Sequence, residues 1–251
     1  MNKLPEIIDY TDAYLRTAEV ADWANAWNGL QVENSGVVTK IGAAVDACEA
    51  VITEAAEKGV TLLLVHHGLF WGGVQPLVGA PFRKMKTAFK HDMAIYSAHL
   101  PLDLHPEIGN NALFAKALGF GECEPFFVSK GAPIGLKTRV VLSRAALRNQ
   151  LEQVLGGAVH LAPGGPERTA CIGIVTGGAG AEVGRAAAEG VDTFITGEGP
   201  HHSFTAAEEL GVNLFYGGHY ATETFGVKAL AAHLAQRFGL PWEFIDHPTG
   251  L

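Results

Sequence analysis

The chain has 251 residues, 48% of them hydrophobic and 18% charged, and a formal charge of −8 with its histidines neutral. That is the composition of a soluble globular protein, long enough for one large domain or two modest ones. A negative balance with no Lys/Arg-rich run argues against non-specific attachment to nucleic acid or to an anionic membrane. In chain order, residues 4–18 have helical apolar spacing, with Pro5 near the start. Residues 22–31, with Trp23, Trp27 and Asn28-Gly29-Leu30, read as a loop with a turn. A strand at 41–45, a helix at 48–58 closed by Gly59 and a strand at 62–65 make a β-α-β unit with a parallel pair. An aromatic, glycine-rich loop at 69–73 follows, then a helix at 82–91 and a strand at 93–97. A helix at 110–118, strands at 122–130 and 136–142 and a helix at 144–155 come next. The remaining pattern is strand 172–175, helix 181–189, strand 192–198, helix 201–210, strand 213–216, helix 227–238 and strand 242–245.

Two stretches match. Ile41-Gly42 and Ala55-Ala56-Glu57-Lys58-Gly59-Val60 align with Ile172-Gly173 and Ala186-Ala187-Ala188-Glu189-Gly190-Val191 at a constant offset of 131. Further on, His99-x-x-x-Asp103 aligns with His219-x-x-x-Glu223 at an offset of 120. The chain therefore reads as an internal duplication, with halves at 1–125 and 126–251. The first half carries a His-His pair and the second a His-x-x-x-Glu motif.

The chemistry begins at Leu62-Leu63-Leu64-Val65-His66-His67-Gly68. An unbroken apolar run reads as a buried strand, and the histidines stand at its carboxyl end, where open α/β sheets place their ligands. Neutral imidazole is the commonest metal ligand among side chains. Adjacent residues on an extended backbone point to opposite sides, so the pair suits two metals, one per histidine, better than one. If the duplicated halves pack face to face, His66, His67, His99 and Asp103 converge with Glu198, His219 and Glu223. Such a set of imidazoles and carboxylates suits Mn, Fe, Co, Ni or Zn. Gly177-Gly178-Ala179-Gly180 lacks the residues of a P-loop and reads as a tight turn. Cys48, Cys123 and Cys171 lack C-x-x-C spacing, so no disulfide framework or zinc ribbon is predicted. The first ten residues lack a signal-peptide core and no stretch reaches membrane-span length, so a cytoplasmic protein is expected.

Five stretches in order carry a family resemblance: Asn28-Gly29-Leu30-Gln31-Val32, Val65-His66-His67-Gly68-Leu69-Phe70-Trp71, His99-Leu100-Pro101-Leu102-Asp103, Ile195-Thr196-Gly197-Glu198 and Gly218-His219-Tyr220-Ala221-Thr222-Glu223. On these the chain resembles, over nearly its whole length, the dinuclear-metal proteins labelled type-2 GTP cyclohydrolase I homologues, or NGG-interacting-factor-like proteins. The compact bacterial branch is the nearest in form. The resemblance implies an α/β fold of two intertwined, duplicated halves with mixed sheets related by a pseudo-dyad, assembled into a homohexameric ring. It also implies two divalent metal ions per chain. His67, Asp103 and Glu223 would hold one, and His66, His219 and Glu223 the other, with Glu223 bridging. His99 and Glu198 are candidates for moving protons in catalysis.

Three functions share these ligands. A hydrolase of GTP cyclohydrolase type would use the metals to ionise water for attack on a nucleotide or related small molecule, releasing formate in the case of guanine. A storage or delivery protein would carry iron or a similar ion. A ring-shaped scaffold would use metals to lock its fold.

Overall fold

The structure is a computed structural model in which residues 2–251 are described. It opens with β1 (Asn2–Lys3) and α1 (Leu4–Leu15). β2 (Gly29–Val32), β3 (Val37–Val38), β4 (Ile41–Asp46), α2 (Glu49–Glu57), β5 (Leu62–His67), α3 (Ala80–Lys90) and β6 (Ala94–Ser97) follow. The short α4 (Leu100–Asp103) leads to α5 (Asn110–Ala117), the hairpin β7 (Glu124–Ser129) and β8 (Ala132–Thr138), α6 (Arg144–Leu155) and β9 (His160–Pro163). β10 (Ile172–Ile174), α7 (Val183–Ala188), β11 (Thr193–Thr196), α8 (His201–Leu210) and β12 (Asn213–Tyr216) repeat the earlier alternation. A one-turn α9 (His219–Thr222), α10 (Thr224–Phe238) and β13 (Trp242–Phe244) come last in the order. No described helix is long and apolar enough to cross a membrane.

The chain divides into two compact units. One comprises Met1–Leu102 with Gly226–His247, the other Asp103–Phe225 with Pro248–Leu251. The connection from Asp103 onward already belongs to the second unit, and the segment from Gly226 returns to the first.

The first unit is built on a five-stranded mixed sheet of order β13-β4-β5-β6-β2. β13, β4, β5 and β6 are parallel, and β2 lies antiparallel on β6. β4 and β5 are buried along almost their full length, as expected of parallel strands covered on both faces. Val51, Ile52, Ala55 and Ala56 of α2 pack with Val60, Leu63, Val65 and Ile95 in the core. Gly42 is required here, because a Cβ on it would lie 2.9 Å from the Val60 side chain. The strand at 29–32 corrects the loop reading of 22–31. Only four residues long, it takes its definition from β6, more than sixty positions away.

The second unit has a six-stranded sheet of order β7-β8-β10-β11-β12-β9. β10, β11 and β12 are parallel, while β8 and β9 are antiparallel on either side of them. Three parallel strands with helices between them, and a preceding strand laid antiparallel on the last, describe both sheets. The duplication in the sequence is thus a duplication of topology. The β7–β8 hairpin turns at Lys130 and Gly131, both at positive φ, the geometry of a tight primed turn. That turn starts β8 at Ala132, earlier than the expected 136. Phe126, Phe194 and Leu214 fill one face of the sheet, and Phe114, Leu147, Ile174, Ile195 and Phe215 the other.

Candidate metal centre

In the first unit the imidazoles stand beyond the last residue of β5 that pairs with β6, Val65 opposite Ser97. His66 is fully buried and His67 half-buried. Their ring centroids are 4.8 Å apart, so the strand's alternation does not separate them. His99, just after β6, has its ring 4.9 Å from that of His66 and 5.8 Å from that of His67. Ligand atoms of all three lie within 4.8 Å of one another, a group able to hold a metal ion.

Each ring is fixed through Nδ1. His66 Nδ1 donates to the Ala98 carbonyl at 2.8 Å, His67 Nδ1 to Asp46 Oδ1 at 2.9 Å, and His99 Nδ1 to Asp22 Oδ1 at 2.9 Å. A carbonyl or carboxylate oxygen only accepts, so the proton of each neutral ring is on Nδ1 and the lone pair on Nε2. This is the arrangement by which outer contacts orient a ligating imidazole. Asp22 and Asp46 were not singled out in the sequence. Asp46 ends β4 beside His67, where the rule that ligands gather at the carboxyl ends of parallel strands would have found it. Asp22 lies 77 positions from His99 and had no local signal.

Asp22 is the anchor of this corner. Its oxygens also accept from Trp23 N at 2.7 Å, Asn28 Nδ2 at 2.8 Å and Leu100 N at 3.0 Å. Burial alone would raise its pKa, but the bonds from His99, Asn28 and Leu100 outweigh that and hold the carboxyl below its ordinary value. Two residues of the first marker motif also have definite jobs. Asn28 Oδ1 accepts from His99 N at 2.7 Å, and Gln31 Oε1 from Leu69 N at 2.7 Å. Trp71 lies across the imidazoles, 4.6 Å from the His99 ring and 5.3 Å from that of His67.

The second unit presents Asp103, Glu198, His219 and Glu223. Asp103, at the end of α4, is buried and accepts from the buried Asn110 Nδ2 at 2.7 Å. His219 opens α9 and Glu223 follows its last residue, so one helical turn puts both on the same side. His219 Nε2 is 3.1 Å from Glu223 Oε2, and His219 Nδ1 is 2.9 Å from Glu198 Oε1. Glu223 is 3% exposed. The turn Gly177-Gly178 forms the floor. A Cβ at Gly177, which has φ +72°, would overlap Glu223 Oε1, and one at Gly197 would lie 2.6 Å from His219 Cα. The glycine-rich turn therefore accommodates the chain's own carboxylate and imidazole. His105 faces a local task, with Nδ1 accepting from Glu107 N and Ile108 N at 3.3 Å.

Burial pulls the His219 pKa down, and Glu223 and Glu198 more than reverse this, raising it from 6.5 to about 9. A folded-state pKa above the unfolded one stabilises fully below pH 6.5, and that stability fades as pH rises through about 9. In chelator-treated protein, wild type is expected to lose up to about 3 kcal/mol relative to His219→Gln between about pH 6 and pH 10. Thermal unfolding across that range checks it. Parallel pH curves for the two proteins would refute it.

Imidazole nitrogens and carboxylate oxygens are the donor set of a first-row divalent cation, and the residues present fit such an ion. A family model described as Duf34/NIF3 (NGG1p interacting factor 3) matches residues 2–249. A "GTP cyclohydrolase 1 type 2 homolog" of Deinococcus radiodurans is 38% identical over 98% of this chain and 94% of its own length. One of the same name from Halobacterium salinarum is 40% identical over 98% of this chain and 100% of its own. Among solved structures, TTHA1606 from Thermus thermophilus superposes with a TM-score of 0.91 at 42% identity, covering 99% of this chain and 100% of that one. The protein ybgI, of unknown function, gives a TM-score of 0.90 at 34% identity, covering 99% of this chain and 100% of its own. With a family match over almost every residue, and relatives of this identity aligned end to end, the chain belongs to the Duf34/NIF3 family.

Proposed function

We propose that the protein is a metal-dependent hydrolase of a small molecule, with His66, His67, Asp103, His219 and Glu223 holding two divalent metal ions. The observation that carries this reading is the common anchoring of four imidazoles. His66, His67, His99 and His219 each have Nδ1 engaged by an oxygen acceptor, which orients the ring and leaves Nε2 as the nitrogen to ligate a metal ion or exchange a proton, a metal ion at His219 taking the place of the Nε2 proton. Carboxylates alongside them suit Fe, Mn, Zn, Ni or Co. Ions bound there would supply a Lewis acid and an ionised water at neutral pH.

The chain's own residues do the rest. His99, held by Asp22, is placed to take and return a proton at Nε2. Trp71 shields the His67 and His99 rings from bulk water. Glu198, bonded to His219 Nδ1, acts as a positioning residue that keeps the His219 ring oriented. The relatives' name supports ring-opening hydrolysis of a guanine nucleotide with loss of formate. Because the chain has no basic run to grip a triphosphate, nucleosides and free bases belong in the same assay.

Metal analysis of protein purified without added metal, paired with formate release on GTP and its smaller relatives, tests this. About two metals per chain and turnover abolished by chelation are expected. Two metals without turnover on any candidate would shift the function to storage or delivery. The role of Glu198 is separable. Glu198→Gln can still accept from His219 and is expected to keep its metals and lose less than about tenfold in kcat, whereas Glu198→Ala loses about 10–100-fold. A larger loss in the Gln variant with full metal content would make Glu198 the general base instead.

A further inference from the structure

Thr176, Thr196 and Thr222 bring their hydroxyls to the turn at Gly177 in the second unit, and two of the three are fully employed. Thr222 Oγ1 accepts from Gly177 N at 3.1 Å and donates to the Gly218 carbonyl at 3.0 Å. Thr196 Oγ1 donates to the Gly177 carbonyl at 3.0 Å and accepts from Ala179 N at 3.1 Å. Thr176 Oγ1 has no hydrogen-bond partner among the described residues, although Thr176 is only 7% exposed. A buried hydroxyl without a partner opposes folding, and folded proteins rarely keep one without a use for it. Asn111 of α5 does not supply the missing bond. Its Oδ1 accepts from Thr176 N at 3.0 Å, and its Nδ2 donates to the Ile134 carbonyl at 2.9 Å.

The place of this hydroxyl points to its use. Ile172 and Ile174 of β10 pack on the α5 side of the sheet with Phe114, and Val175 packs on the opposite side with Phe194. By the same alternation Thr176 returns to the α5 side, where Asn111 holds its backbone. It is there one residue removed from contacts with two of the proposed ligand carboxylates. Asn110, next to Asn111, donates to Asp103 Oδ1 at 2.7 Å. Gly177, next to Thr176, lies against Glu223 Oε1 with no room for a Cβ. A hydroxyl can accept two hydrogen bonds and donate one, so it suits a small polar partner such as water.

We propose that Thr176 is a further catalytic residue, whose hydroxyl hydrogen-bonds the attacking water at the proposed metal centre and orients it toward substrate. This rests on the hydrolase reading above. The hydroxyl accepts one O–H of the water and no bond to Thr176 forms or breaks, so the residue orients the water without taking its proton.

Thr176→Val keeps the shape and removes the hydroxyl, and Thr176→Ser keeps the hydroxyl. Both are tested in the full chain. In chelator-treated protein Thr176→Val is expected to melt about 2–4 °C above wild type, because the unpaired hydroxyl is gone. Thr176→Val is expected to hold zinc about tenfold more weakly in competition with a chelator, and to lose about tenfold or more in kcat with KM little changed. Thr176→Ser is expected to stay close to wild type in both. Wild-type zinc affinity and kcat in Thr176→Val would overturn the proposal and leave the hydrolase reading intact. A chelated Thr176→Val protein that melts below wild type, while Thr176→Ser does not, would overturn it too, by showing the hydroxyl paired within the protein. Zinc affinity that falls in Thr176→Val and returns in Thr176→Ser, in protein with no turnover, would keep the water contact and end the hydrolase reading. Wild-type protein that binds no metal would overturn both.

Discussion

Glu223→Ala is expected to empty the proposed metal centre and to reduce the proposed turnover by at least about a hundredfold. Glu223 is buried, stands 3.1 Å from His219 Nε2, and rests against the Gly177 backbone with no space to spare. Removing it takes away a proposed carboxylate ligand and the strongest raising influence on the His219 pKa. Disturbing even the outer contacts of a metal site costs about 10–100-fold in affinity or activity, and loss of a ligand exceeds that. Elemental analysis together with formate release measures both effects. A variant that keeps its full metal content would show that Glu223 is no ligand, whatever its activity.

The second large effect is expected at a residue outside the proposed ligand set. Asp22→Ala removes the acceptor of four donors: Trp23 N, Asn28 Nδ2, His99 Nδ1 and Leu100 N. The Trp23 N bond is exposed, but the other three are part-buried, and donors left unpaired away from water cost about 1–3 kcal/mol each, so a loss of about 3–5 kcal/mol in stability is expected. That corresponds to a fall in Tm of about 10–15 °C for a protein of this size. Asp22→Asn retains an acceptor and is expected to recover half or more of the stability while leaving His99 less firmly held. Thermal unfolding of the two variants decides this, and a change under about 1 kcal/mol in Asp22→Ala would remove Asp22 as the anchor.

The contrast between these two residues measures how far the sequence could be read. Glu223 was visible because it repeats Asp103 four positions after a histidine, and such spacing is a property of the chain itself. Asp22 had no such mark, because the residue it serves lies far along the chain, beyond several intervening strands and helices. The same division runs through the fold. The bounds of α6 and α8 were legible to the residue. Ser143 accepts from Ala146 N at the start of α6, and Gly156 and Gly211 end the two helices in the left-handed conformation. β2 and β9 were not legible. Each is four residues long, β9 ends in Pro163, and both exist because a partner strand elsewhere completes their hydrogen bonds. Asn28 and Gln31 fall between these cases. Their motif was noticed, but their service to His99 N and Leu69 N is a matter of tertiary contact.

The strand order of the first sheet bears on how the protein is made. β4 needs β13 on one side, with Trp242 opposite Ile41 and Phe244 opposite Ala43. Those partners are about two hundred residues apart, so the sheet cannot close until translation has passed Phe244. The stretch Asp103–Phe225 is contiguous and emerges earlier. Lacking only Pro248–Leu251 of its unit, it can begin to fold on the ribosome while β4, an apolar strand, waits with one edge unsatisfied. A chain stopped just short of Trp242 would carry that open edge permanently. Nascent protein of this design therefore depends on the β13 segment to leave the aggregation-prone state, and quality control would meet it mainly after most of the second unit has already been made.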